Sequence, residues 1–272
     1  MASRDDLDIL LNTGHRPWPP PATRWAMTQR WNDLLFAHWP VPAAQLIGLL
    51  PAGLTVDTFD GSAWVGVVPF WMDRVQLRGF PMIPGTNRFP ELNLRTYVRD
   101  SGNNVAGVYF FSLDAANPLA VAVARTFFHL PYYWAKMSIQ HRGKSEFHYS
   151  SERRLVRKPV RFRANYRGLG RMNTLDQSLP GTIEYFLTER YALYTTGPDG
   201  KLHRGNIHHL PWPLELAEAE FEVNELPGAH GIQLPDTPPL LHYARELVVY
   251  VWSLELAMSL MTRGAVAVPE PL

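Results

Sequence analysis

The stretch Phe89-Pro90-Glu91-Leu92-Asn93-Leu94-Arg95-Thr96-Tyr97-Val98-Arg99 decides how the chain is read. Successive side chains of a strand point to opposite faces, so residues two apart share one. One face then carries Glu91, Asn93, Arg95, Tyr97 and Arg99, and the other Leu92, Leu94, Thr96 and Val98. Alternation of this kind marks an antiparallel sheet, whereas strands of a parallel sheet are near-continuous apolar runs. Two readings of the polar face stand side by side. It meets water on the outside of a sheet, or it lines a barrel interior where Glu91 and Arg95 address a ligand. Parity does not choose between them.

Working outward, Leu54–Phe59 and Ala63–Trp71 flank Asp60-Gly61, the strongest short-range hairpin signal in the chain. Residues 78–87, with Gly79, Pro81, Pro84 and Gly85, form a loop. Further strands are expected over Val105–Asp114, Tyr133–Gln140, Glu146–Ser151, Pro159–Tyr166, Tyr191–Thr195, Lys201–His209, Leu214–Glu222 and Leu241–Leu256. Helices are expected over Pro42–Leu50, Pro118–His129 and a short piece after Pro180-Gly181. About ten strands with a few short helices and no βαβ alternation give an α+β class, a mostly antiparallel β-barrel or cone. Residues 1–24 read as an irregular Pro-rich arm, 25–256 as one domain and 257–272 as a C-terminal tail.

Composition narrows the function classes. The chain has 272 residues, 26 Lys+Arg against 25 Asp+Glu, and no cysteine. That excludes disulfide frameworks, thiolate zinc sites, iron–sulfur clusters and cysteine nucleophiles. A near-neutral balance argues against electrostatic nucleic-acid binding. The acidic N-terminus lacks an apolar run, and the apolar stretch Leu247–Val268 is interrupted by Glu255 and Arg263, so neither a secretory signal nor a membrane span is expected. Phosphate-loop, dinucleotide, HExxH and GxSxG motifs are absent. The expectation is a cytoplasmic protein with a small-molecule ligand, no cofactor, no metal, no nucleic-acid or membrane partner, and scope for a homo-oligomer.

The second informative stretch is Leu130 to Gln140, where Tyr132, Trp134, Lys136, Ser138 and Gln140 share a face. Only four of the 26 basic residues are lysines: Lys136, Lys144, Lys158 and Lys201. Among them Lys136 alone sits between Ala135 and Met137 beside Trp134. A lysine desolvated there would serve as an imine nucleophile; the alternative is a packed stem with its head in water. His208, in the rigid Ile207-His208-His209-Leu210-Pro211-Trp212-Pro213 run, is read as a pocket acid or base. His38 is read as a buried, satisfied histidine or as a pocket donor. The basic run of residues 153–171 either binds an anion or pairs with the acidic run of residues 215–225 across a sheet. The balanced total charge favours the pairing.

The order of segments resembles a known family. Gln29 to Val41, Trp64 to Phe70, Phe89 to Val98, Phe111 to Ala115, Leu130-Pro131-Tyr132-Tyr133, Leu187 to Tyr191 and Gly205 to Leu214 are similar to the uncharacterised YqjF-like family, a branch of the acetoacetate decarboxylase-like superfamily. The resemblance implies a β-cone with its ligand cavity inside, and it moves the Glu91 face from solvent toward the lumen. It also implies that Glu91 stands at the superfamily's pocket glutamate. Acetoacetate decarboxylases carry Pro-Lys-Lys where this chain has Pro131-Tyr132-Tyr133, so the imine-forming lysine of that chemistry is replaced. The expected function is binding of a small anionic or carbonyl-bearing compound, with or without acid–base chemistry. Glu91 would be base or carboxylate partner, Arg95 the anion clamp, Tyr132 and His208 proton donors, and Asn93, Trp134 and His38 further binding residues. An imine-forming lyase using Lys136, and a non-catalytic sensor, are the alternatives.

Overall fold

The computed structural model describes residues 4–81, 87–143, 145–171 and 179–257. In chain order the elements are α1 (Arg4–Leu11), β1 (Met27–Val41), α2 (Ala44–Ile47), β2 (Leu54–Val56), β3 (Ala63–Leu77), β4 (Phe89–Asp100) and β5 (Ala106–Ala115). There follow α3 (Pro118–Phe127), β6 (Tyr132–His141), β7 (Glu146–Arg153), β8 (Arg161–Arg171), α4 (Ile183–Thr188) and β9 (Ala192–Thr196). The last are β10 (Leu202–His208), β11 (Leu214–Asn224), α5 (Leu226–Ala229), β12 (Leu240–Val251) and β13 (Glu255–Leu256).

All thirteen described strands belong to one sheet, and that sheet forks. Strand β5 bonds β4 along one side; on the other it bonds β9 through Val108 and Tyr109, and β6 through Leu113 to Ala115. Strand β12 bonds β1 on one side; on the other it bonds β11 through His242 to Ala244 and β10 through Tyr250 and Val251. The strands therefore close on themselves twice. One ring runs β12-β1-β3-β4-β5-β9-β10, the other β12-β1-β3-β4-β5-β6-β7-β8-β11. The five strands from β12 to β5 are a wall common to both. Where β5 forks, Leu94 faces Ser112 and Arg95 faces Phe110, leaving Phe111 without an opposite residue. That extra residue is a bulge, which bends the strand so that it can serve two neighbours.

A common wall has no wet face. Leu34, Phe36, Phe70, Met72, Phe89 and Leu113 pack into the first ring's interior. Leu35, Ala37, Val65, Val67, Leu92 and Leu94 pack into the second, against Phe147, Tyr149, Phe162 and Tyr243. Close packing at the first ring's junction needs Gly107: a Cβ there would lie 2.7 Å from the Ala192 carbonyl oxygen.

Several expectations change. The strand β1 runs through residues that sequence patterning leaves unassigned, because Asp33 (φ 52°) and the register shift between Asn32 and Ala37 interrupt its alternation. The Asp60-Gly61 turn forms with both φ positive, 48° and 76°, closed by a Phe59–Ser62 bridge. Yet β2 pairs with β4 and not with β3. Asp57 is drawn aside by Arg99 Nε at 2.8 Å and Arg190 Nη1 at 2.6 Å, which takes the chain away from the hairpin. The N-terminal arm is not wholly irregular, since it contains α1 and docks on the end of β10. Arg16 Nη1 donates to the Ile207 carbonyl at 2.6 Å, and His208 Nε2 lies 2.8 Å from the Ile9 carbonyl. The basic and acidic runs pair as β8 and β11, with Arg161–Glu225, Arg163–Glu222 and Arg167–Glu218 at 2.7, 3.3 and 2.6 Å. Of the expected tail, residues 258–272 lie outside the described residues, as does Lys144. No helix among the described residues is long and apolar enough to cross a membrane.

Candidate functional site

The first ring encloses a cavity of about 270 Å³. Its walls are mostly apolar: Met72, Phe89, Phe110, Leu113, Leu193 and Trp212 are representative. Helix α3 covers one side with Leu119, Val123 and Ala124. That helix begins where Asn117 Oδ1 accepts from the amides of Leu119 and Ala120 at 3.0 and 3.2 Å, with Pro118 in the first turn. Into this surface project Glu91, Arg95, Tyr132, Arg190 and His209. Of the polar face of the 89–99 strand, Glu91 and Arg95 thus reach the cavity, whereas Asn93, Tyr97 and Arg99 are not among its lining residues.

Glu91 is buried, and the Tyr132 hydroxyl donates to its Oε2 at 2.8 Å. Burial pushes the Glu91 carboxyl up to about 8; the Asp114 charge adds to this, and the Tyr132 hydrogen bond opposes it. Burial, with the Glu91 charge behind it, also pushes the Tyr132 phenol well above its ordinary value. Glu91 therefore keeps its proton to a higher pH than an ordinary carboxyl does. So poised, Glu91 can donate a hydrogen bond while protonated or act as a base once ionised.

Arg95 is buried, and its Nη2 donates to the Tyr97 hydroxyl at 3.2 Å and to the Leu187 carbonyl of α4 at 3.3 Å. Its Nε has no partner, and no carboxylate among the described residues reaches it. Arg190, on the same cavity, pairs with Asp57 at 2.6 Å, a carboxylate it shares with Arg99. Behind Arg95 a chain of hydrogen bonds continues: His38 Nε2 lies 2.7 Å from the Tyr97 hydroxyl. Burial, then the charge of Arg95, holds the His38 imidazole well below its ordinary pKa, so it stays neutral beside the Tyr97 hydroxyl. His38 does not line the cavity; it fixes Tyr97, which fixes Arg95. Gly66 makes room for this chain, because a Cβ there would lie 2.9 Å from the His38 ring.

Other expected site residues lie elsewhere. Lys136 is exposed, opposite Glu152 in the β6–β7 register, and Trp134 is 38 % exposed. Beyond Trp134 strand β6 leaves β5 and pairs only with β7, so the face that buries Tyr132 meets solvent two residues later. Asn93 is buried with its Oδ1 unpartnered, but it is not among the lining residues. His208 turns to the arm, within 3.2 Å of Arg16 Nη1, and its neighbour His209 lines the cavity instead. Burial lowers the His209 pKa to about 3, and its Nδ1 lies 2.7 Å from the Leu210 carbonyl. Parity groups His209 with Ile207, which lines the same cavity, but leaves open which face of the strand is the inner one. Arg190 had no comparable signal, since its place depends on Asp57, distant in sequence.

Residues 28–248 match the family of uncharacterized conserved proteins DUF2071. The chain belongs to the DUF2071 family. The uncharacterized protein YqjF of Bacillus subtilis (strain 168) is 48% identical over 230 residues, 85% of this chain and 92% of that protein. Among solved structures, an acetoacetate decarboxylase-like enzyme from Sphingomonas wittichii RW1 superposes with a TM-score of 0.58 at 14% identity, over 90% of this chain and 99% of that one. The enduracididine biosynthesis enzyme MppR, complexed with the condensation product of pyruvate and imidazole 4-carboxaldehyde, gives 0.58 at 12% identity over 88% and 94%. Acetoacetate decarboxylase from Legionella pneumophila gives 0.57 at 11% identity over 92% and 95%. At these identities the likeness is one of fold. This DUF2071 chain thus has an acetoacetate decarboxylase-like architecture, with its cavity in the smaller of two closed rings.

Proposed function

We propose that the cavity binds a small organic acid, with Arg95 as its counter-ion and the protonated Glu91–Tyr132 pair as donor to a carbonyl or hydroxyl oxygen of the same molecule. The observation that carries this reading is Arg95: a buried guanidinium lining the cavity that forms no ion pair with a carboxylate among the described residues. An uncompensated buried charge costs several kcal/mol, so an anion entering the cavity relieves a penalty already present. The neutral Glu91 can donate to an oxygen without repelling the acid. Fold neighbours whose ligands are pyruvate or its condensation product support the class. No lysine is among the lining residues described, so an imine route through Lys136 has no support from its position. Calorimetric titration with a panel of monocarboxylates and their amides tests the reading. Acids should bind and amides should not, and Arg95→Gln should weaken acid binding at least tenfold, the scale of a charge-assisted hydrogen bond of ~1.5–3 kcal/mol. Equal binding of acids by the wild type and Arg95→Gln would refute it.

A further inference from the structure

We infer that the acid is amphiphilic: an unbranched apolar chain with its carboxylate on Arg95, running past Glu91 and Tyr132 toward Leu77 and Phe80. This rests on the acid-binding reading above and adds the class of molecule. Two of the cavity's polar residues, Arg95 and Glu91, are well separated along β4. Arg95 stands opposite Gly66 on β3 and Glu91 opposite Phe70, four residues along the strand, which at ~3.3 Å per residue separates their Cα atoms by about 13 Å. The guanidinium moreover leans away from Glu91, onto Tyr97 and the Leu187 carbonyl. An acid seated on Arg95 that also meets the Glu91–Tyr132 pair therefore needs a backbone long enough to span most of that separation.

What lies between the two points is apolar. Across the β4–β5 register Arg95 faces Phe110, Asn93 faces Leu113 and Glu91 faces Ala115. Phe110 and Leu113 line the cavity, and Val108, Leu193 and Ile207 join them. Beyond Glu91 the lining continues through Phe89 and Met72 to Val75, Leu77 and Phe80, with Leu119 from α3. Leu77, Phe80 and Leu119 are 43 %, 66 % and 51 % exposed, so the passage ends in an apolar opening. The volume of about 270 Å³ has room for on the order of nine groups of water size at ~30 Å³ each. A polar metabolite would leave most of that wall without contacts, whereas a hydrocarbon chain would satisfy it. With Arg95 at one end and a wall toward Leu77 and Phe80 that is largely apolar, save Gln29 and Gln76, the cavity matches an acid with its head inside and its tail outward.

The test is a homologous series of acetate, butanoate, hexanoate, octanoate and decanoate, with octan-1-ol as the uncharged control. Binding can be followed by calorimetry and by the fluorescence of Trp31 and Trp212, both of which line the cavity. Kd should fall about fourfold per added methylene, ~0.8 kcal/mol each, until the chain reaches the mouth. Octanoate should bind at least tenfold more tightly than octan-1-ol. Arg95→Gln should abolish that difference and Arg95→Lys should retain part of it, and Leu113→Phe should shift the optimum to shorter acids. Kd independent of chain length, with Arg95 dependence intact, would overturn the chain assignment and leave the acid site standing. Affinities that are unchanged in Arg95→Gln and equal for acid and alcohol at each chain length would overturn both, as would no binding by any member.

Discussion

At the scale of the residue, the protein keeps ionisable groups in apolar surroundings and manages each differently. Glu91 avoids the cost by holding its proton. Its folded-state pKa of about 8 lies above the ordinary carboxylate value of 4.5, so its contribution to stability is complete below 4.5 and is lost as pH rises through 8. Between those limits the group removes up to ~1.4 kcal/mol of stability per pH unit. Glu91→Gln should flatten that dependence, as read by urea denaturation at several pH values from 5 to 9; an unchanged slope would show that Glu91 ionises freely in the fold. Asp114 and Arg153 solve the problem by pairing at 2.7 Å, both nearly inaccessible. Arg153→Met alone should destabilise by ~3–5 kcal/mol, while Arg153→Met with Asp114→Leu should recover most of the loss, because one orphaned charge costs more than an absent pair. Residues of this kind are partly legible in sequence. Strand parity put Glu91 and Arg95 on one face, and the lysine scarcity isolated Lys136, but the solvent exposure of Lys136 depends on where β6 leaves β5. Parity in the 202–209 strand separated His208 from His209 without saying which face was inner; the docked arm, remote in sequence, decides that.

At the scale of the element, local signals predict what is local. The Asp60-Gly61 turn and the helix from Pro118 follow from residues that dictate backbone dihedrals; residues 82–86 of the loop expected over 78–87 lie outside the described residues. Pairing is different: β2 takes β4 as its partner because Asp57 answers Arg99 and Arg190, and β1 escapes notice because its 15 residues include a left-handed aspartate. The element on which the architecture turns is β5. Gly107→Ala would force a methyl to within 2.7 Å of the Ala192 carbonyl oxygen, and since backbone cannot yield as a flexible side chain does, the β5–β9 junction should open. A loss of ~1–3 kcal/mol is expected, with hydrogen exchange accelerated in Val108 and Tyr109 before it is in β6 or β7. Uniform exchange across the sheet would mean that the junction is not a separable unit. Removing the α3 cap with Asn117→Ala should cost ~1 kcal/mol and loosen the helix that covers the cavity.

At the scale of the whole molecule, burial sets both limits of pH tolerance. His209 and His230 are held neutral, at about 3 and about 4 against an ordinary 6.5. Their folded-state values are depressed, so the stability tied to their neutral forms is present above 6.5 and is lost as pH falls through 4 and 3. With Glu91 acting in the opposite sense, thermal stability should pass through a maximum near neutrality; a monotonic profile from pH 4 to 9 would contradict this. The overall class was visible in the strand-rich, irregularly spaced pattern, whereas the double closure was not, since no local residue pattern encodes a strand with three neighbours.

The pairing of Met27 with Val251 has a consequence during biosynthesis. A ribosome adds residues at about 5–20 per second, so β1 emerges on the order of 10–40 s before β12 is available to it. For that interval β1, β3 and β4 can assemble, but the long outer side of β1 has its amides and carbonyls unpaired beside Leu34, Leu35 and Phe36. An open strand of that length and composition is a template for pairing with other chains. The nascent protein is therefore most prone to aggregate in the middle of its own translation, and a chaperone that shields extended apolar segments should raise its soluble yield more than one that acts after release.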